Sequence, residues 1–435
     1  MNKQKLSVTG TGDSLFMAKF PEEYQSGLRS VADFIQSCDI KITNLETNLS
    51  DFDCFASAYS GGTWLNTRSE DFTELLRFGF NYFGTANNHS MDYGFDGLLS
   101  TIRVLDQYGV AHSGTGTSLE DASKPAVLEV NGQKVAIFAV DASCENASRA
   151  GRATKVIKAR PGVNYLRHET TFRISEQEEK VLRGIAARNG INFSRDLSIN
   201  SGYQTPDPPG YFFLGNQKYT TRDDIPSTSC NAKDKARISA AVCSAKEKYD
   251  YVFVLVHCHD NDGKSHANPP EYLTEFSHAC IDAGASAIFG GGCHNLRPLE
   301  IYQGCPIFYS LGDFIYQGLK VEHLPADFME KYGLDIFASA QEALFVRSRG
   351  GKVGLHCEKK NYQTVLPKME FTDGKLSSLT LLPVYLNFDR KDDLNGLPVA
   401  AEGKEAQEIF EILAEISKPW GVNLRFENGL ITIVF

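Results

Sequence analysis

The sequence predicts an α/β fold built on parallel strands, and three observations predict it. Short apolar runs alternate with segments of helical periodicity through most of the chain. Five of those runs end in polar residues of catalytic type. The 435 residues, 42% of them hydrophobic, suffice to bury a large core. Parallel strands place their carboxyl ends on one edge of the sheet, so run ends far apart in sequence can meet in one crevice.

Each element follows from its local pattern. The run Leu6 to Gly10 reads as the first strand and ends in Gly12-Asp13; Asp39 to Thr43 reads as the next and ends in Asn44-Leu45-Glu46. Ser69 is placed to cap a helix whose Phe72, Leu75 and Leu76 share a face and which Gly79 ends. The strand Phe80 to Thr85 follows, giving out at Ala86-Asn87-Asn88-His89. Leu98, Leu99, Ile102 and Leu105 mark a helix stopped by Gly109, and the Asn131-Gly132 turn leads into a strand over Val135 to Val140. Tyr251 to Val256 is a strand ending in His257-Cys258-His259-Asp260; a helix over Glu271 to Ala283 follows, then Ala285 to Phe289 ending in Gly290-Gly291-Gly292-Cys293-His294. After Tyr362 the pattern changes to a hairpin around Asp373-Gly374, an amphipathic helix over Gly403 to Ser417 and strands around Asn428-Gly429.

Residues 150–230 interrupt this order with a polar stretch punctuated by Pro161-Gly162, Asn189-Gly190 and Pro208-Pro209-Gly210. It reads as a surface elaboration, part of which borders the pocket; Arg160, Arg167 and Arg173 are its candidates to meet an anion. The expected organisation is one main domain over residues 1–330 that includes this insertion, with residues 331–435 completing the same domain by joining its second sheet.

Taken singly, the polar residues have ordinary readings. Asp13 can cap a turn, Glu46 can be a solvated loop residue, and a lone histidine such as His89 is usually hydrogen-bonded at a core edge. Recurrence at five successive run ends argues otherwise. Two carboxylates, an amide and several imidazoles are the donor types that hold two divalent cations about 3.5–4 Å apart for ester hydrolysis.

At these residues the chain resembles the CapA/PgsA proteins of poly-γ-glutamate and capsule synthesis, a branch of the calcineurin-like metallophosphoesterase superfamily. The resemblance covers most of the chain and rests on Gly12-Asp13, Asn44-Leu45-Glu46, Ala86-Asn87-Asn88-His89 with Asp92-Tyr93-Gly94, His257 with His259-Asp260, Ile281-Asp282-Ala283-Gly284-Ala285, and Pro306-Ile307-Phe308-Tyr309-Ser310-Leu311-Gly312. It implies a four-layer αββα sandwich with mixed sheets. It further implies that Glu46 bridges two metals, that Asp13 and His294 serve one, and that Asn88 and His257 serve the other. His89 would be the general acid, and Asp92 either fixes its tautomer or caps the helix that follows. Asn44, Asn87 and Asp313 are candidate substrate contacts.

Three departures from the family pattern bear on the ligand set. Leu15 stands where superfamily phosphoesterases carry a histidine. The Gly-His-x-Pro-His loop reads Gly290-Gly291-Gly292-Cys293-His294, so one imidazole is absent, and either His259 or a Cys293 thiolate is positioned to replace it. Asp313 replaces an asparagine, which either restores a ligand or repels an anionic substrate.

Composition narrows the class. A formal net charge of −10 without a Lys/Arg stripe argues against nucleic acid as partner. The opening residues show no signal-peptide core and no membrane span, and ten cysteines without a C-x-x-C pair suit reduced thiols, so a cytoplasmic location is expected. Two functions follow. The first is a metal-dependent hydrolase acting on an anionic small molecule or polymer with one or two Mn, Fe or Zn ions and His89 protonating the leaving group. The second is a catalytically weak binding or accessory protein in the metabolism of poly-γ-glutamate or another anionic cell-envelope polymer.

Overall fold

The computed structural model describes residues 5–433, so the opening tetrapeptide, part of the stretch expected to hold no signal-peptide core, lies outside the described residues. The architecture is mixed α/β around two large sheets. The first has ten strands, running in order Leu424–Glu427, Leu430–Ile433, Lys375–Tyr385, Gln363–Thr372, Lys5–Leu15, Ile40–Leu45, Tyr82–Gly84 and Ala111–Ser113, with Asp313–Tyr316 and Val399–Ala400 paired alongside. The second has six, in order Leu299–Tyr302, Cys305–Phe308, Ala287–Gly292, Tyr251–Cys258, Gln133–Asp141 and Ala126–Val130.

The period-2 alternation of the central strands decides which side chains meet. Ile137, Phe253, Leu255 and Phe289 of the six-stranded sheet share a core cluster with Val8, Ile40 and Ile42 of the larger one. Their neighbours Phe138, Val252, Val254 and Val256 join a separate cluster with Ile238 and Val242 of the helix Ala232–Lys246 and Leu273 and Phe276 of the helix Glu271–Asp282. Helix Gln25–Gln36 brings Leu28, Val31 and Ile35 to the first cluster. Contact between the sheets is close at Gly10, where a β-carbon would lie 2.4 Å from the Phe289 ring.

Two expectations require correction. Ser69 caps no helix: it opens a 3-10 turn, Ser69–Phe72, which runs into the four-residue helix Thr73–Leu76. Gly79, at φ 87°, stops the segment before a longer helix can offset its nucleation cost. The C-terminal hairpin also joins the sheet of the first strand instead of the other one. Its partner is the first strand itself, with Leu6 opposite Phe371 and Val8 opposite Met369, an antiparallel edge that local periodicity does not specify.

Within residues 150–230, the strands His168–Arg173, Phe212–Leu214, Gln217–Thr220 and Thr228–Cys230 form a small sheet beside the helices Glu176–Asn189 and Phe193–Asn200. A reciprocal Ser175–Glu178 capping box begins the first of those helices. All ten cysteines are free among the described residues, and no helix there is long and apolar enough to cross a membrane.

Candidate metal centre

Register puts the polar residues side by side. In the larger sheet Asp13 stands opposite Asn44 on one neighbour and Asp313 on the other, at irregularities in both pairings. In the smaller sheet Asp141, His257 and Gly291 are in register across three parallel strands. The two rows face each other where the sheets' carboxyl ends open. His257 Nδ1 lies 3.6 Å from Asp13 Oδ1, and its Nε2 lies 3.5 Å from Glu46.

Asp13 is fully buried and held from two sides, by Asn44 Nδ2 at 2.7 Å and by the Gly292 N–H at 2.6 Å. Burial alone would raise its pKa, but His257, the Gly292 N–H and His294 together hold it below the usual carboxylate range. Gly291 is shaped by the same contact. A β-carbon there would sit 2.4 Å from Asp13 Oδ1, so the missing imidazole of the family loop makes room for the aspartate.

Glu46 differs from every other group in the crevice. It is fully buried, yet neither carboxylate oxygen has a hydrogen-bond partner. Burial, followed by repulsion from Asp13, Asp313, Asp141 and Asp92, pushes its pKa well above the ordinary value. Two clusters of potential ligand atoms, each within 4.8 Å, share it: Asp13, Glu46 and His257 form one, and Glu46, His259 and His294 the other. This grouping differs from the pairing implied by the family pattern, in which Asp13 went with His294. Asn88 adds an amide oxygen 2.7 Å from His257 Nε2 and donates to the Gly61 carbonyl. Of the two proposed replacements for the lost imidazole, His259 lies in the cluster, 3.2 Å from His257. Cys293 does not: its thiol is spent on the Asn295 carbonyl. Leu15 is a core residue.

Second contacts fix the imidazoles. Asp313 Oδ1 lies 2.9 Å from His294 Nδ1, at a backbone φ of 59° that is uncommon for a residue with a β-carbon. Burial lowers the His294 pKa, but Asp313 and then Asp13 outweigh it and raise it overall. Burial carries Asp313 itself, and likewise Asp141, to about 6, and one oxygen of each is unpartnered. His259 goes the other way: burial first, then His257 and His294, push it well below its usual value.

His89 Nδ1 lies 2.7 Å from Asp92 Oδ2, and Asp92 also accepts from the Gly61 and Leu65 amides. The helix Gly94–Gln107 begins after Tyr93 with no side-chain cap, so Asp92 serves the imidazole and not the helix. Asn44 and Asn87, read as substrate contacts, act as braces: Asn87 donates to Asn44 Oδ1 and the Leu45 carbonyl and accepts from the His89 N–H. Asp313 is likewise bound to His294.

A cavity of about 430 Å³ opens beside these groups, lined by Asn88, Ser143, Arg149, Arg167, His168 and His259 among others. Arg167 is bound through two guanidinium nitrogens to Asp234, while Arg160 donates to the Arg149 carbonyl and Arg173 to the Asp223 carbonyl, and neither of these two arginines lines the cavity. The sequence reading overlooked Asp141, although it follows the apolar run Val135 to Val140 as the other polar ends follow theirs. It also overlooked Arg149, for which no local signal existed.

The family model for the bacterial capsule synthesis protein PGA_cap matches residues 7–318. The chain belongs to this family, which is related to the calcineurin-like metallophosphoesterases. The uncharacterised protein y4sH of Sinorhizobium fredii is 30% identical over 98% of this chain and 93% of its own length. The PGA biosynthesis protein CapA of Bacillus subtilis is 27% identical over 58% of this chain and 47% of its own. The capsule biosynthesis protein CapA of Bacillus anthracis is 23% identical over 72% and 60% respectively.

Proposed function

We propose that this PGA_cap member is a metal-dependent hydrolase of the phosphoesterase type, built on the four-layer αββα sandwich of that superfamily, and that its substrate is an anionic small molecule or polymer. The observation that carries the reading is Glu46, a buried carboxylate with both oxygens unpartnered at the junction of two ligand clusters. Keeping such a group ionised without a cation costs on the order of several kcal/mol, the penalty of a buried unpaired ion. Carboxylate and imidazole donors fit Mn, Fe or Zn, so the residues present suit the implied ion.

Asp13, Glu46 and His257 would hold one cation; Glu46, His259 and His294 a second, with Asn88 beside His257. A bound cation of this type lowers the pKa of water and stabilises charge on the reacting centre. The remaining work falls to the chain. Asp92 orients His89 through Nδ1, which leaves Nε2, 3.9 Å from Glu46, to carry the proton handed to the leaving group. Asp313 orients His294 in the same manner. The names of the CapA relatives, which concern capsule and PGA synthesis, favour a carboxylate-bearing polymer.

Elemental analysis joined to a panel of phosphomonoesters, phosphodiesters and γ-glutamyl compounds tests the reading. Stoichiometric Mn, Fe or Zn is expected, lost in Glu46→Ala and His257→Ala. The His89→Ala protein should keep its metal and lose about 100-fold or more in turnover. A metal-free protein that is inert on the panel but still binds a polyanion would make it an accessory binding protein instead.

A further inference from the structure

Beside the metal centre, three guanidinium groups surround one aromatic ring. Arg149, Arg167 and Arg237 lie 5.5, 5.4 and 5.3 Å from the Tyr165 ring centre. Their charges are unequally met. Arg167 is paired with Asp234, whereas Arg237 donates to the neutral Ser123 hydroxyl, the Asn164 amide oxygen and the Tyr165 carbonyl. Arg149 is half-buried, and its Nε is shielded from solvent without any partner. Within ion-pair distance one carboxylate, that of Asp234, thus serves three guanidiniums, and Asp141 acts on Arg149 only at longer range, in a chain whose net charge is −10. A local cationic excess of this kind is unfavourable in a partly buried wall unless an anion arrives to balance it.

Arg149 also sits where an anion bound near the metals would reach. It lines the same cavity as Asn88 and His259, both within hydrogen-bond distance of His257. Its backbone is held by a bridge to Val163, and its carbonyl accepts from Arg160 Nε at 3.0 Å. The side chain is therefore presented from a fixed strand-like segment. A guanidinium offers a planar fork matched to a carboxylate or phosphate, which a position 5.5 Å from the Tyr165 ring centre leaves available.

We propose that Arg149, with Arg237 and Tyr165 behind it, forms an anion subsite that receives a second carboxylate or phosphate group of the ligand, one removed from the bond presented to the metal centre. The position of that bond rests on the function proposed above; the subsite does not. It selects ligands carrying at least two negative groups.

The test uses full-length protein stripped of metal with a chelator, so that binding reports the subsite and not the ions. Triglutamate and tripolyphosphate serve as carboxylate and phosphate probes in calorimetric titrations at low and moderate salt. Wild type is expected to bind at least one of them, and the tighter probe names the group. Arg149→Gln should weaken that binding at least tenfold and reduce its salt dependence, Arg149→Lys should fall between, and the exposed control Arg173→Gln should match wild type. Thermal melts establish that each variant is folded; if Arg149→Gln is not, Arg149→Lys decides. No binding by wild type, or equal binding by the folded Arg149 variant, overturns the subsite. Absence of hydrolysis in the metal-loaded protein, alongside Arg149-dependent binding, would overturn the hydrolase and leave the subsite standing.

Discussion

At the scale of single residues, the site is governed by carboxylates that lack partners. Replacing Glu46 with glutamine removes a buried charge repelled by Asp13, Asp313, Asp141 and Asp92. The Glu46→Gln protein without metal should therefore melt higher than wild type, while the rise in melting temperature that Mn or Zn confers on wild type should vanish. A lower melting temperature without metal would show that Glu46 is satisfied in a way its two bare oxygens do not reveal. Gly291→Ala addresses the opposite feature. Its β-carbon would press on Asp13 at 2.4 Å, costing about 1–3 kcal/mol of overpacking. Metal affinity should fall as Asp13 is displaced; an unchanged affinity in a titration would dismiss the contact. The sequence exposed Gly291 only as a departure from a family motif, because the reason for it is an atom 278 positions earlier in the chain, Asp13. Glu46 was readable as a candidate ligand from its place at a run end, its sharing between two ions being what the family resemblance implied, whereas the bonds that commit Asn44 and Asn87 to bracing are distances no pattern contains.

At the scale of elements, the end of the strand Tyr251–Cys258 supplies His257, the loops after it and after Ala287–Gly292 supply His259 and His294, and one side chain ties them together. Arg297, only 1% exposed, lies three residues after His294 and donates to the carbonyls of Cys258, His259 and Asp260, the last at 2.5 Å. Arg297→Met keeps the volume and strands these carbonyls, so a loss of about 1–3 kcal/mol is expected in denaturant unfolding. Hydrogen exchange at residues 258–260 should quicken and metal affinity should drop. Protection equal to wild type at those amides would remove Arg297 from this role. Elements with strong local signals were readable almost to the residue: Gly403–Ser417 is the helix its periodicity predicts, and Asp373-Gly374, at φ 52° and 81°, is the turn its composition predicts. The short helix after Ser69 failed because tertiary packing, not periodicity, stabilises four residues.

For the whole molecule, the sheet that accepts the C-terminal hairpin was not readable, since edge pairing between residues more than 350 apart leaves no local trace. The convergence of run ends was readable, because parallel strands in two sheets both open toward one side. That convergence concentrates acid in one crevice, with a consequence for pH. Burial raises Asp141 and Asp313 to about 6, so each binds its proton more tightly folded than unfolded. Their contribution to stability is present at low pH and is lost as pH rises from the ordinary carboxylate range through about 6. His294, raised by Asp313 and Asp13 against the opposing effect of burial, adds in the same direction, while His259, lowered by burial, opposes it by gaining as pH approaches its unfolded value. A divalent cation held by the neighbouring ligand clusters reverses the sign at these carboxylates, since its charge favours their ionised forms and drives their protons off. The rise in melting temperature on adding Mn or Zn should therefore be larger at pH 7.5 than at pH 5.5, with protons released on binding at the lower pH. In the Asp141→Asn/Asp313→Asn double variant the difference between the two pH values should shrink. A cation-induced rise as large at pH 5.5 as at pH 7.5 in wild type would mean that the ion's charge does not reach these carboxylates at all.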